Sequence, residues 1–387
     1  MNTEWNTPER EAWRDSVTRF TRDKITDQLA GWEDEGMLPR QLHLDAAAAG
    51  LLGVGFAEEV GGQGGDAIDN TVMCEAIIGA GGSSGLVSGL FTHGIALPHI
   101  ISSGNADLID RYVRPTLAGT TIGSLAVSEP GGGSDVAAVQ TRAVRDGDDY
   151  LVTGSKMFIT SGIRADFVTT LVRTGGDGYD GLSLMVIDKG LPGFSVSSPL
   201  RKMGWQCSDT AELSFDQVRV PATNLVGREG EGFVPVMQQF VHERLNLAVQ
   251  AYATAQRSLD LAIEYARGRE TFGRPLIDRQ SIRRTLVAMH RRTEVARTYT
   301  RCIIEREVAG EELLLEATVA KNQATAACDF VVDQAVQIFG GAGYLRESEV
   351  ERHYRDSRIL RIGGGTDEVM DDLAAKLLGY SSRAGAK

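Results

Sequence analysis

The spacing of apolar residues changes period twice along this chain, and that double change limits its fold more than any other feature. From residue 8 to about 118 the spacing is helical: Pro8 stands at a helix start, and Trp13, Val17, Phe20 and Ile25 fall on one face. Pro39 opens a short helix that alanines 46–49 continue and Gly50 stops, and 68–78 predicts another after the glycines of 61–65. From about 121 to 221 the runs become short and β-branched, at 122–127, 141–145, 150–159, 167–172, 182–187 and 213–220, divided by Asp-Gly, Gly-Gly and Pro-Gly pairs. After Pro221 and the glycine-rich loop 227–232, helical spacing returns. Met237, Val241, Ala248, Tyr252, Ala255, Leu259, Ala262 and Ala266 share one stripe at ~100° per residue. Further helices are expected at about 276–309, 312–339 and 366–378, with the glycines of 340–343 breaking the third. The pattern predicts an α+β chain with an N-terminal helical domain over 1–120, a middle antiparallel β domain over 121–228 and a C-terminal four-helix bundle over 229–387. A short polar tail after Gly379 is expected to be disordered.

A chain of 387 residues buries an ample core without covalent support. Cys74, Cys207, Cys302 and Cys328 lie far apart with no C-x-x-C spacing, so reduced, buried thiols are expected rather than a disulfide framework or a metal site. The formal charge of −12 argues against nucleic acid or an anionic membrane as the main partner, though a few local arginines suffice for a phosphorylated ligand. No apolar run approaches ~18 residues. The acidic N-terminus, with Glu4, Glu9 and Glu11, does not resemble a leader, which favours a cytoplasmic protein, although a mature organellar enzyme lacking its transit peptide would look the same. His93 and His99, six apart, are poorly spaced to chelate a metal from one helix face, and structural roles are expected for both.

Chemistry concentrates where the first strand of the β segment ends. Residues 122–127 run straight into Ser-Glu-Pro-Gly-Gly-Gly-Ser-Asp over 128–135, where Pro130 and three glycines forbid continued strand or helix. Glycines 131–133 allow close approach of a ligand, leaving main-chain N–H groups and the hydroxyls of Ser128 and Ser134 as donors for a planar or anionic partner. A tight turn with a glycine tip is the competing reading of the stretch alone. There is no G-x-G-x-x-G opening a helix and no G-x-x-x-x-G-K-[ST]. A second stretch, Lys-Met-Phe-Ile-Thr-Ser-Gly over 156–162, again places an aromatic, a hydroxyl and a glycine at a strand end.

With these two segments the chain resembles the acyl-CoA dehydrogenase flavoproteins, whose S-E-P-G-x-G-S-D and K-x-[WF]-I-T-[NS]-G segments wrap the flavin ring. Residues 205–215, 269–273 and 337–344 are similar to further family segments, in the same order. The resemblance implies FAD as cofactor and α,β-dehydrogenation of an acyl-CoA thioester to the trans-2-enoyl-CoA, with an electron-transferring flavoprotein as acceptor. By the same resemblance Leu125, Val127, Ser128, Gly133, Ser134, Phe158, Ile159 and Thr160 contact the flavin, with Ser134 also near the substrate's pantetheine arm. Arg269, Phe272 and Gln280 match positions at the pyrophosphate and adenosine end. Gln337, Gly340 and Gly341 match a loop that reaches the cofactor from a neighbouring subunit, and Thr366 and Glu368 match contacts near the pyrophosphate. Such sharing implies a homo-oligomer, a tetramer in relatives. Phe158 stands where some relatives carry Trp.

The catalytic base is where the chain departs from many relatives, which carry it in a Tyr-Glu-Gly-Thr segment before the last helix. Here Gly364 occupies the glutamate's place. A glycine abstracts no proton, but its N–H can still donate to a thioester carbonyl. In the isovaleryl-CoA and long-chain branches the glutamate stands instead on the first bundle helix, in an x-E-R-L segment that matches residues 242–245 here, so the resemblance assigns the base to Glu243 and a contact with the coenzyme A end to Arg244. Against this, the helical projection sets Glu243 roughly 140° from the apolar stripe, on a polar face with Gln239, Asn246 and Gln250. Three alternatives remain: an oxidase, an enzyme of carrier-protein thioesters, and a catalytically silent flavin-binding subunit.

Overall fold

In this computed structural model, which describes residues 3–380, the two changes of apolar period mark two changes of secondary structure. Ahead of the first lie α1 (Pro8–Thr21), α2 (Leu29–Glu35), α3 (Arg40–Ala48), α4 (Ala67–Gly79), α5 (Ser84–Leu90), α6 (His93–Ser102) and the single turns α7 (Ala106–Leu108) and α8 (Arg114–Leu117). Then come β1 (Gly123–Ala126), β2 (Arg142–Asp146), β3 (Asp149–Thr160), β4 (Phe167–Arg173), β5 (Leu182–Asp188), β6 (Phe194–Val196), β7 (Thr210–Pro221) and β8 (Leu225–Val226). The last segment holds α9 (Phe233–Gly268), the small hairpin β9 (Glu270–Thr271) and β10 (Arg274–Pro275), α10 (Gln280–Val308), α11 (Leu314–Phe339), α12 (Glu349–Ser357) and α13 (Asp367–Leu377). Among the described residues, three long helices and two short ones therefore make up the C-terminal helical segment; the sequence reading lacks α12, β6, β8 and the β9–β10 hairpin, all too short to display a period. The polar tail expected to be disordered lies, from residue 381 on, outside the described residues.

By their contacts these elements form two units, each assembled from separated segments: one from residues 31–65 and 88–240, the other from 1–30, 66–87 and 241–387. In the first, the eight strands make one sheet in the order β6-β7-β3-β2-β4-β5-β8, with β1 also beside β4. Pairing is antiparallel except for β1 with β4 and the single Arg142–Arg173 pair of β2 with β4. All seven residues of β4 are buried, as expected of a strand covered on both faces. Phe167 and Leu171 pack on one face with Leu97, Ile100, Tyr112 and Leu117, and Val168 and Val172 on the other with Met185, Leu213 and Phe215. Each such buried side chain contributes roughly 1.5–3 kcal/mol. His93 and His99 are buried here and burial pushes both down to about 4; His93 Nε2 lies 2.9 Å from the Leu52 carbonyl. They are neutral core groups, as the spacing predicts.

In the second unit α1 starts on Pro8, with the Thr7 hydroxyl accepting from Arg10 N at 3.3 Å. It is tied to α4 by Arg10, which pairs with Asp66 and Asp69 at 2.8 Å each. Glu75 of α4 gathers Tyr252 Oη at 2.7 Å and Arg301 at 2.6 Å. Two expectations need correcting. Cys302 is exposed, since its position on α10 faces away from the buried stripe of Met289, Ala296 and Ile303, while the other three cysteines are buried. The stretch Ser84–Ser102 does reach the length and apolarity of a membrane span, because its glycines, serines and histidines interrupt the apolar run without lowering its mean hydropathy enough; it is divided between α5 and α6, and most of it is buried inside the protein.

Candidate active site

The segment after β1 is held by a buried ion pair. Lys156, on β3 and fully buried, donates to the Val127 carbonyl at 3.0 Å and to Glu129 Oε1 at 2.9 Å. Glu129 also accepts from Gln140 N (2.8 Å), Thr141 N (2.9 Å) and Thr141 Oγ1 (2.6 Å). Burial works to raise the Glu129 carboxyl, but the Lys156 charge and these donors outweigh it and hold it below its usual range; burial pushes the Lys156 ammonium down to about 8 against the pull of Glu129. Beyond the pair, Glu129 and Gly132 exchange two main-chain bonds of 3.0 Å, making a tight turn with open space beside Gly131 and Gly132. Met157 N donates to the Ser128 carbonyl at 2.9 Å and Ser124 Oγ to the Thr160 carbonyl at 2.5 Å, which sets Leu125, Val127 and Ser128 next to Phe158, Ile159 and Thr160; Gly133 turns back on Ser128, whose Cβ is 3.7 Å from where a Cβ on Gly133 would stand, and Ser134 follows it directly.

Phe158 sits in the register shift between β3 and β7, at φ 63°, and is 65% exposed. A bulky residue there is strained, and nothing in the sheet repays an aromatic ring directed away from the core. Phe272, at the tip of the β9–β10 hairpin, repeats the combination at φ 50° and 99% exposed, with the Arg279 guanidinium 5.4 Å from its ring centre. Both lie on positions that the resemblance assigns to cofactor contact. In the sheet unit alone, a glycine turn open to one side, hydroxyl donors and the strained exposed ring of Phe158 are a donor set and shape that suit a planar, phosphate-bearing cofactor, so the residues present fit FAD.

In the other unit, Glu243 lies against Gly364. A Cβ placed on Gly364 would stand 3.9 Å from Glu243 Oε1, and 2.7 Å from Leu247 Cδ1. The helical projection misjudges its surroundings: Gln250 is buried, Gln239 and Glu243 are half-buried, and only Asn246 of that face is exposed; at Glu243 the cause is the glycine loop at Gly364, which lies against Glu243, Arg244 and Leu247. Burial pushes the Glu243 carboxyl above its ordinary value, offset in part by Arg244. Arg244, placed by resemblance at the coenzyme A end, is itself buried, and its Nε donates to the Gly364 carbonyl at 3.3 Å. Thr366 caps α13 by accepting from Val369 N at 3.3 Å, and Glu368 is exposed on the first turn.

The remaining expected residues are elsewhere. Arg269 follows the last residue of α9, Phe272 tips the hairpin, and Gln280 opens α10. The Tyr265 and Phe339 rings stack with centroids 4.2 Å apart, bringing the Gln337, Gly340 and Gly341 segment to this end of α9. Glu243 and Arg269 are 26 residues apart on what is almost entirely one helix, hence roughly 39 Å at 1.5 Å per residue. One chain therefore does not bring these two groups together. The sequence reading also missed Lys321, which is fully buried on α11 and donates to the Gly365 carbonyl at 2.8 Å, with Asp367 Oδ1 at 3.4 Å. A signal existed: Lys321 stands in the buried face that carries Ala317, Ala320, Ala324 and Cys328, where a cation has no packing purpose.

A carboxylate set against a glycine loop, and a glycine-and-hydroxyl strand edge fit for a flavin, define a cofactor-dependent enzyme. Comparison with known proteins gives its family. The acyl-CoA dehydrogenase N-terminal, middle and C-terminal domain models match residues 7–120, 124–218 and 230–379. The mitochondrial long-chain specific acyl-CoA dehydrogenase of Rattus norvegicus is 33% identical over 372 residues, 95% of this chain and 86% of that protein. The crystal structure of a probable acyl-CoA dehydrogenase from Mycobacterium abscessus is 63% identical, with a TM-score of 0.96 over 97% of this chain and 100% of that one. A solved structure described as the electron transferring flavoprotein of Acidaminococcus fermentans is 31% identical, with a TM-score of 0.92 over 96% of this chain and 98% of that one. The chain belongs to the acyl-CoA dehydrogenase family. It is an oxidoreductase of acyl-CoA thioesters whose cofactor is FAD.

Proposed function

We propose that Glu243 is the base that takes the α-proton of a bound acyl-CoA, and that the Gly364 N–H donates to the thioester carbonyl. The observation that carries this is the placement of the Glu243 carboxylate 3.9 Å from where a side chain on Gly364 would begin. The position that holds glutamate in many relatives is here served by a carboxylate from the neighbouring helix. A thioester α-proton is a weak acid, so the base has to act together with a donor on the carbonyl oxygen, where enolate charge develops. Bound FAD supplies the acceptor for the β-hydride. Burial of Glu243 keeps its carboxylate poorly hydrated and therefore more basic, and Arg244 limits that shift while anchoring the carbonyl side of the same glycine.

Changing Glu243→Gln tests this. The amide is nearly isosteric, so FAD content and acyl-CoA binding persist, while anaerobic bleaching of the flavin slows by roughly 10²–10⁴-fold. Bleaching at the wild-type rate would place the base elsewhere. The pH profile checks the same group independently. The active form is the carboxylate and its pKa is raised, so kcat/KM climbs with pH along a flank displaced above the ~4.3 of a free glutamate, and Glu243→Gln loses that flank.

The physiological reading has further parts. The acceptor is an electron-transferring flavoprotein, which the likeness to the Acidaminococcus fermentans structure supports. The active form is a homo-oligomer, a tetramer by analogy, supported by the separation of the Glu243 and Arg269 groups in one chain. Branched or longer acyl chains are favoured by the glutamate at 243 and glycine at 364.

A further inference from the structure

We infer that Lys321 is a positioning residue for the reaction: from α11 it fixes the Gly364–Gly365 backbone so that the Gly364 N–H stays directed at the substrate carbonyl. This rests on the proposed role of that N–H.

The run Gly363-Gly364-Gly365 has the greatest backbone freedom a protein chain allows, and Gly364 and Gly365 occupy φ +65° and +105°. A donor aimed at developing negative charge helps only if it is oriented beforehand. Side chains do not orient this loop, because its residues have none. What grips it is a cation on each of two successive carbonyls: Arg244 Nε on Gly364 O at 3.3 Å and Lys321 Nζ on Gly365 O at 2.8 Å. The two gripped planes are the Gly364–Gly365 and Gly365–Thr366 peptide units, and the Ile362–Gly363 unit is held on the other side by Gly363 N donating to the Ile359 carbonyl at 2.8 Å; the Gly363–Gly364 unit, which carries the Gly364 N–H, is thereby suspended between fixed neighbours and its direction follows from theirs, since each peptide unit is rigid.

The cost of this arrangement argues that it has a purpose. Lys321 is fully buried, and burial pushes its ammonium below the usual lysine value, with Asp367 opposing that and Arg244 and Arg361 adding to it. Asp367 is a shared partner, since it takes Arg361 Nε at 2.5 Å and leaves Lys321 at 3.4 Å. The shorter bond of Lys321 is thus to the loop carbonyl. The helix itself has no need of it: neighbours on the same face are the small residues Ala317, Thr318, Ala324 and Thr325, and Asn322 and Asp329 already tie α11 to Asp367 and Arg361. A leucine or methionine there would pack at lower cost but leave Gly365 O without its donor.

The test uses the FAD-loaded enzyme with Lys321→Met and Lys321→Arg, and two readouts. The first is steady-state kinetics. Expected for Lys321→Met is a fall in kcat of about ten- to a hundredfold with KM and flavin content within about twofold of wild type, and partial recovery in Lys321→Arg, which still donates. The second is difference infrared spectroscopy of a bound non-reacting acyl-CoA analogue labelled at the thioester carbonyl. In the wild type its stretch is shifted down by hydrogen bonding, and in Lys321→Met it moves back up. If the wild type shows no downshift, the reading of the Gly364 N–H fails. If the wild type shows it and Lys321→Met keeps both the shift and kcat, the inference about Lys321 alone is overturned. Loss of FAD or of the folded state in both variants would also overturn it, by showing a structural strut. Asp367→Asn serves as a further check: it removes the shared anion but leaves the carbonyl grip, so kcat should fall by less than in Lys321→Met.

Discussion

The edge that carries Ser128 and Phe158 and the loop that carries Gly364 are each braced from behind by a fully buried lysine, yet the two braces differ. Lys156 divides itself evenly between the Val127 carbonyl and Glu129, and Glu129 is further occupied by three donors, so the network is saturated. Lys321 favours the Gly365 carbonyl, and its anion is held mainly by Arg361. The difference follows from what each loop offers. The first has a glutamate to anchor and can be fixed through a side chain; the second is bare glycine and can be fixed only through its main chain. The first brace also coexists with strained backbone at Phe158, whereas the second relies on conformations that cost glycine little.

That comparison can be broken at either end. The largest effect is expected in the glycine loop. A glutamate installed at 364 in the Glu243→Gln background should not restore flavin bleaching, leaving the roughly 10²–10⁴-fold deficit in place. Its Cβ would meet Leu247 Cδ1 at 2.7 Å, in a backbone region that costs a side chain about 1–2 kcal/mol. Adding Leu247→Ala should release part of the block, and stopped-flow reduction of the triple variant measures how much. A smaller effect is expected at the saturated brace. Lys156→Met removes a charged donor from Val127 O and Glu129, worth roughly 1.5–3 kcal/mol, so the FAD dissociation constant should rise about ten- to a hundredfold in fluorescence titration. Unchanged FAD affinity would show that the loop holds its shape without the ion pair. The smallest concerns strain. Phe158→Gly frees φ 63° and should raise the melting temperature of the apoprotein by about 2 °C for ~1 kcal/mol while weakening FAD retention. A lower melting temperature would mean the exposed ring packs in a way its exposure hides.

Much of this was legible beforehand, for identifiable reasons. The helix–sheet–helix order could be read because α1, α9, β3 and β7 are long enough to show their periods. The Glu243 and Gly364 pair was visible only through family segments, since helical projection put Glu243 on a solvated face; projection knows the helix but not the loop that folds over it. Arg244 shows the same limit: its guanidinium serves the Gly364 carbonyl, a partner 120 residues away in the chain. Lys321 was missed although its setting in an alanine face was an anomaly on the page, because a lysine on a helix is ordinarily a solvated one.

The length of α9 has a consequence for how damage spreads. Glu243 near one end and Arg269 just past the other belong to one rigid rod, but if a second copy completes the grip on each cofactor, as proposed, they serve different active centres. A lesion in one chain would then impair chemistry in its own centre and cofactor hold in its neighbour's. Two inactive chains, one lacking the carboxylate and one lacking the arginine, would assemble into hybrids in which one centre inherits both faults and another inherits neither. Inheritance of function in such a protein is a property of the pair, not of the chain.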